Sequence, residues 1–287
     1  MCAYSENRIK GTLYGLAIGD AMGATTEFMS QQTIKRSFKR RTDIIGKGWL
    51  NLYPGEVTDP TEMAFCICDA LEHAIPHRGS RYPDILLNEC CKSYVRWYDS
   101  HPVDMEECVR NAIIQCGPAR FEKWMRYSLN PENIDRGSLF TAIPLVLSGH
   151  HKERLIEVGR LTHNSNTCDY AVQKLRQLLR AALGGQMLTD EVFSQVPPHD
   201  CHVLATLGCA TYHVETTATV EGAIIEAVYH GGDTDAIAAL TGALAGAMYG
   251  YDAIPERWIH QLHPAVIEKL EHYSAFLLSI QINRSKK

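Results

Sequence analysis

No uninterrupted apolar run in this 287-residue chain approaches the ~18 residues that a membrane-spanning helix needs, so no membrane partner is expected. The opening segment, Met1 to Lys10, is polar, and the next apolar run is broken by Gly19 and Asp20, so no secretory leader is expected either. No CxxC pair recurs at zinc spacing. The ten cysteines, among them Cys66, Cys68, Cys90, Cys91, Cys201 and Cys209, sit within or beside apolar periodic stretches rather than in a disulfide framework. They read as buried reduced thiols and point to a cytoplasmic location. Positive charge is not in excess. Lys and Arg number 28 against 33 Asp and Glu, for a net charge of −5, and no nucleic-acid partner is expected. The short basic end, Arg284 to Lys287, reads as a frayed terminus. Strand-like alternation, internal repeats and linker-like segments are all scarce, so residues 1–287 read as a single domain.

What remains is helical periodicity. With 45% hydrophobic and 21% charged residues, the chain can bury a large core. Apolar faces with helical spacing run through residues 8–18, 61–75, 86–98, 107–115, 155–162, 170–183, 204–214, 220–229, 236–249 and 264–279. Irregular stretches are expected at about 25–60, 116–137 and 184–200, the last containing Gly184, Gly185, Pro197 and Pro198. The expected class is all-α, a compact orthogonal helix bundle with functional loops at one end.

Three motifs carry candidate chemistry. In Gly231-Gly232-Asp233-Thr234-Asp235, two glycines and two carboxylates precede a helix full of small side chains. Such a loop can aim both carboxylates at one hard cation. Ordinary helix N-capping explains it equally well. In Gly55-Glu56-Val57-Thr58-Asp59-Pro60-Thr61-Glu62, Asp59 fits an N-cap, Pro60 the first helical position and Glu62 a capping box. The functional alternative has Thr58 and Asp59 giving oxygens to the same ion. In the third motif, from Gly15 to Phe28, a helix is expected to end in a glycine-punctuated turn that presents Asp20 and Glu27.

Together, in this order, the motifs resemble the ADP-ribosylglycohydrolase family, in particular the branch of the dinitrogenase-reductase-activating glycohydrolase. Further similar segments are Gly48-Trp49-Leu50, Ser100-His101-Pro102-Val103-Asp104, Thr162-His163-Asn164 and Ile254-Pro255-Glu256-Arg257-Trp258, and the resemblance spans residues 7 to 275 or thereabouts. It implies an all-α fold with a binuclear Mg²⁺ or Mn²⁺ site. It also implies hydrolysis of the glycosidic bond joining ADP-ribose to a protein side chain, arginine in this branch. The implied partner is an ADP-ribosylated protein or an ADP-ribose-type small molecule. The implied metal ligands are Thr58, Asp59, Asp233 and Asp235. Glu27, beside the metals, and Asp104, in acid–base work, are the implied catalytic residues. Asp20, Arg136, Gly137, Ser138 and His163 are the implied substrate-binding set, with Arg136 pairing to the diphosphate.

The chain departs from the family pattern at four places. Pro60 stands where a second aspartate follows the threonine, and Ala236 where a threonine follows the second aspartate. Arg136 stands in an Asn position and Thr141 in an Arg position. Two metal-ligating oxygens are thereby lost, and metal affinity should fall with lost carboxylate charge. Besides hydrolysis of ADP-ribosyl-arginine, two alternatives stay open: a domain that binds ADP-ribose or an ADP-ribosylated partner without fast hydrolysis, and cleavage of a different nucleoside-type bond.

Overall fold

All ten stretches with helical spacing are helices in the computed structural model, which describes residues 4–38, 42–77, 79–186 and 202–285. Fourteen α-helices are present among these residues: α1 (Glu6–Gly23), α2 (Gln31–Ser37), α3 (Asp59–Ala74), α4 (Tyr82–Asp99), α5 (Glu107–Cys116), α6 (Phe121–Tyr127), α7 (Gly137–Leu147), α8 (Lys152–Gly159), α9 (Asn166–Leu183), α10 (Val203–Glu215), α11 (Val220–Val228), α12 (Thr234–Tyr249), α13 (Glu256–Gln261) and α14 (Pro264–Ser285). The described residues contain no strand, only the isolated bridges Lys47–Leu52 and Leu129–Asn164. None of the described helices is long and apolar enough to cross a membrane.

At the centre lie α1 and α12, antiparallel and in backbone contact. Every residue of α12 from Thr234 to Met248 is buried, as is α1 from Gly11 to Gly23. Glycines at four-residue spacing, Gly11, Gly15, Gly19 and Gly23, form one face of α1. A Cβ on Gly15 would collide with the carbonyl of Gly242, and one on Gly19 with that of Ala238. One on Gly246 would collide with the carbonyl of Gly11, and one on Gly23 with that of Thr234. This contact explains a departure from the expected boundary. The glycines do not end α1 at residue 18; the helix continues to Gly23, so Asp20 lies on the helix and not in a turn.

Around this pair α9, α10 and α11 pack on α12, while α3 joins α1 to α4 and α7. Helix α9 shows why the sequence folds so. Cys168, Ala171, Val172, Leu175, Leu178, Leu179 and Ala182 make its buried face, and the Ser165 hydroxyl accepts from Cys168 N at 3.1 Å to start it.

The stretches expected to be irregular contain helices. Residues 25–60 hold α2 and residues 116–137 hold α6, each only seven residues long and too short to display a period. Helix α13 escapes for the same reason, and α7 because all eleven of its residues are buried and no polar face marks it. Of the third stretch, Gly184 and Gly185 close α9, while Pro197 and Pro198 lie outside the described residues, as do Cys201, Lys286 and Lys287. The described cysteines are free thiols, and burial pushes those of Cys66, Cys68 and Cys90 far above the usual range, which makes them inert.

If the α1–α12 contact holds the bundle together, Gly242→Val should cost about 3 kcal/mol of stability or more by overpacking. Gly79→Ala, where an added Cβ has nothing within 4 Å, should stay within about 0.5 kcal/mol of wild type. Urea denaturation of both variants checks this, and equal midpoints would contradict it.

Candidate active site

The antiparallel α1–α12 contact brings the C-terminal end of α1 beside the N-terminal end of α12. The segments that follow and precede them are stitched together, since Phe28 N donates to Gly232 O at 2.8 Å and Gly232 N to Met29 O at 2.9 Å. Gly231 (φ +88°) and Gly232 (φ +76°) hold left-handed backbone here, and a side chain on Gly231 would strike the backbone of Gln31. The start of α3 docks into the same place through Asp20.

Asp20 is fully buried, and its carboxylate accepts from Thr58 N (3.1 Å), Thr58 Oγ1 (2.6 Å), Thr61 N (3.1 Å) and Thr61 Oγ1. It therefore caps α3 from another helix. Asp59 is not the N-cap that its position suggested. Thr58 is, and Thr58 makes no side-chain capping bond of its own. Both oxygens of Asp20, which was expected among the substrate-binding residues, are engaged in holding α3. Burial, aided by the charge of Asp235, pushes the Asp20 carboxyl up to about 7 against the opposing threonine hydrogen bonds.

Asp233 and Asp235 have the opposite fate. Asp233 is the N-cap of α12 yet makes no capping bond, and its Oδ1 has no partner although the residue is 2% exposed. Asp235 is 0% exposed; its Oδ2 lies 3.2 Å from Thr58 Oγ1 and its Oδ1 is unpartnered. Capping thus does not account for either carboxylate. Oxygens of Glu27, Asp104 and Asp235 all lie within 4.8 Å of one another. Asp59 is buried beside them, with Oδ2 accepting from Glu106 N at 2.8 Å. Glu27 receives the indole N–H of Trp49 at 2.6 Å, and the exposed rings of Trp49 and Phe28 stand 5.5 Å apart at the rim.

So dense a set of buried carboxylates holds protons. Burial and then Asp235 push Glu27 up to about 9, and burial raises Asp59, Asp104 and Asp233 as well. The donor set is all hard oxygen, with unpartnered buried oxygens on two aspartates. It fits a hard divalent cation.

Arg136 and Glu106 form the other flank. The Arg136 side chain is 12% exposed, and its Nε lies 2.5 Å from Asp233 Oδ2 in an ion pair, with Nη1 3.4 Å from Glu106 Oε1. Glu106 is held down to about 2, because His163 and Arg136 outweigh its burial. His163 is fully buried, with Nε2 2.7 Å from Glu106 Oε2 and Nδ1 2.7 Å from Thr162 Oγ1. It is neither a solvated nor a capping residue, and it touches the acidic cluster only through Glu106. Gly137 is small for the same neighbours, since a Cβ there would meet Glu106 Oε2 and the His163 ring. Ser138 is buried in the first turn of α7, and Thr141 donates to Ser138 O at 2.9 Å, far from the role of a phosphate-binding arginine. Glu106 escaped the sequence reading. Its only signal was its place two residues after Asp104.

A family model described as ADP-ribosylglycohydrolase matches residues 1–197 and 170–284 of the chain. The protein belongs to the ADP-ribosylglycohydrolase family. The ADP-ribosyl-[dinitrogen reductase] glycohydrolase of Rhodospirillum rubrum is 28% identical over 96% of this chain and 97% of its own length. The ADP-ribosylarginine hydrolase Tri1 of Pseudomonas putida is 27% identical, covering 89% of this chain and 74% of the relative. A solved structure titled ADP-ribosylglycohydrolase-related protein complex superposes with a TM-score of 0.80 at 27% identity, over 96% of this chain and 98% of that one.

The protonated carboxylates give a signed expectation for this member of the family when it is free of divalent cations. Unfolded carboxyls titrate near 4, whereas Asp20 does so at about 7 and Glu27 at about 9 in the folded chain. Between those limits the folded state binds more protons than the unfolded one, so stability falls as pH rises through that window. In chelator, the urea midpoint should drop steadily from pH 5 to pH 9, and Mn²⁺ should restore it at pH 8. A flat profile would contradict the burial of these groups.

Proposed function

We propose that this ADP-ribosylglycohydrolase is a divalent-cation-dependent enzyme that removes ADP-ribose from a modified protein side chain, arginine in particular. The observation that carries this is the gathering of oxygens of Glu27, Asp104 and Asp235 within 4.8 Å of one another, with the fully buried Asp235 keeping its Oδ1 without a partner. The names of the relatives from Rhodospirillum rubrum and Pseudomonas putida support the substrate class. The free, buried thiols support a reducing, cytoplasmic setting.

The ligands would come from Thr58, Asp59, Asp233 and Asp235, with Glu27 and Asp104 beside them. Mg²⁺ or Mn²⁺ bound there supplies orientation and polarisation of the ribose hydroxyls and of water. The reaction breaks the bond between the ribose anomeric carbon and the arginine nitrogen, adds the oxygen of water to that carbon and returns a proton to the guanidine. Burial and the neighbouring carboxylates raise both Glu27 and Asp104 when no cation is bound, and a divalent ion beside them would lower both. Asp104, on the loop between α4 and α5, is the less buried of the two. The two carboxyls offer a donor for the leaving nitrogen and an acceptor for the proton of water. Trp49 keeps Glu27 in place through its indole N–H.

A second reading, binding without fast turnover, draws on Pro60 and Ala236. Both are buried in the first turns of α3 and α12 and offer no side-chain oxygen to the centre.

Two measurements separate the readings. Asp235→Ala should abolish Mn²⁺ binding in calorimetry and hydrolysis of ADP-ribosyl-arginine protein together, and undiminished turnover would refute the proposal. Asp104→Asn should lower kcat by about 10²–10⁴-fold with Mn²⁺ binding retained. Wild-type protein that binds ADP-ribose but neither Mn²⁺ nor Mg²⁺ would favour the second reading. In the same assay Pro60→Asp combined with Ala236→Thr should tighten Mn²⁺ binding.

A further inference from the structure

We propose that the guanidinium of Arg136 is a resident cation of the acidic centre, filling the flank formed by Asp233 Oδ2 and Glu106 and leaving room for a single divalent ion at Asp235, with Glu27 and Asp104 beside it. This deepens the cation-dependent reading above and rests on it.

The centre divides by the partners of its oxygens. On one flank Arg136 Nε is 2.5 Å from Asp233 Oδ2, and Nη1 is 3.4 Å from Glu106 Oε1. The second Glu106 oxygen is taken by His163, and one Asp59 oxygen by the backbone N–H of Glu106. Arg136 Nε and Asp233 Oδ2 approach as an ion pair without an aligned N–H···O bond, and an ion about 2.0–2.1 Å from that oxygen would have the guanidinium pressed against it. On the other flank no cationic side chain is bonded to the carboxylates. Glu27 has the Trp49 indole, Asp104 has the Met105 N–H at 2.9 Å, and Asp235 Oδ1 has no partner at all. It is on this second flank that three carboxylate oxygens fall within 4.8 Å of one another.

The charge of Arg136 is permanent. A guanidinium stays protonated at any pH the fold survives, and the carboxylates around this one raise its affinity for the proton further despite its burial. Its side chain is 12% exposed and that of Asp233 is 1% exposed, so little water screens the pair. A divalent ion entering the Asp233 flank would meet the guanidinium in direct contact, whereas at Asp235 the same charge is felt only across the centre, with no cationic side chain of the described residues in an ion pair there. Arg136 also serves as the N-cap residue of α7, whose first residue, Gly137, packs on Glu106 and His163, so its Cα is held by the bundle. The arginine is thus built into the centre and is not a surface arm turned inward.

The test is Mn²⁺ stoichiometry, measured on the full chain by calorimetry and by metal analysis after desalting, for wild type, Arg136→Gln and Arg136→Lys. Wild type should bind one ion. Arg136→Gln, which removes the charge and keeps a polar side chain, should bind two, and Arg136→Lys, which keeps a charge, should bind one. Removing the arginine leaves Asp233 and Glu106 uncompensated. Arg136→Gln should therefore melt at a lower temperature than wild type in chelator and gain more than wild type from Mn²⁺. If Arg136→Gln folds only with Mn²⁺ present, protein purified in Mn²⁺ should still carry two ions. Two ions in wild type, or one in every variant, would overturn the role of Arg136 while leaving the cation-dependent reading intact. A rise from one ion to two in wild type on adding ADP-ribose would also overturn it, since the arginine would then be a mobile arm that leaves for the diphosphate. No ion in any variant would instead sink the cation-dependent reading itself.

Discussion

The contact on which the rest depends is the one between the glycine face of α1 and the small-residue face of α12. Two helices usually keep their backbones apart by the width of two layers of side chains, about 8–10 Å between axes. Here collisions await any Cβ at Gly15, Gly19, Gly23, Gly242 or Gly246, so the backbones themselves touch. Running antiparallel, the pair delivers the end of one helix to the start of the other with no slack between them. The segment carrying Glu27 then pairs through Phe28 and Met29 with Gly232. A carboxylate set drawn from α1, α12 and their flanking loops is therefore positioned by rigid backbone and not by flexible side chains. Such support lets a site hold several like charges in one small volume.

The same geometry decides the fate of each carboxylate. Asp20 and Asp235 are both fully buried, and each faces the start of α3. Asp20 meets two backbone N–H groups and two hydroxyls, and its oxygens are consumed in ending the electrostatic debt of a helix N-terminus. Asp235 meets the same Thr58 hydroxyl with one oxygen and keeps the other without a partner. Buried polar atoms in native proteins are nearly always bonded, so a bare oxygen on a 0% exposed aspartate calls for an explanation, which the proposed cation supplies. The two aspartates thus share one threonine hydroxyl and differ in whether the backbone N–H groups of α3 are also within reach.

Much of the fold was legible because its outer helices are half-buried. Helix α9, with one apolar face and one polar face, is written plainly in residues 170–183, and only its capped first turn was missed. Helix α7 is buried on every side and so carries no periodic signal, while α2, α6 and α13 are shorter than the window in which a period can be counted. At the site, the aspartates of α12 stood out because glycines and small residues surround them. Glu106 did not, because its partners Arg136, His163 and the backbone of Asp59 are remote in sequence. Asp20 was noticed for being acidic among small apolar residues, which was the correct anomaly. Its role as a cap for α3 depends on a contact 38 residues away that no local pattern encodes.

The departures from the family pattern make sense as one electrostatic change. Against the pattern that the resemblance implies, Pro60 in an aspartate position removes one negative charge, and Arg136 in an asparagine position adds one positive charge. Together they shift the centre by two units, the charge of one divalent ion. Buried carboxylates must be balanced by something, because an uncompensated charge in a low-dielectric interior costs several kcal/mol. A scaffold that had merely decayed would lose donors and leave the remaining acids bare. Here the loss at Pro60 comes with a guanidinium lying against Asp233, while the oxygens of Glu27, Asp104 and Asp235 stay gathered and unpaired with any cationic side chain. One half of the acidic centre has its counter-charge within the chain, and on the proposed reading the other half takes it from an ion in solution.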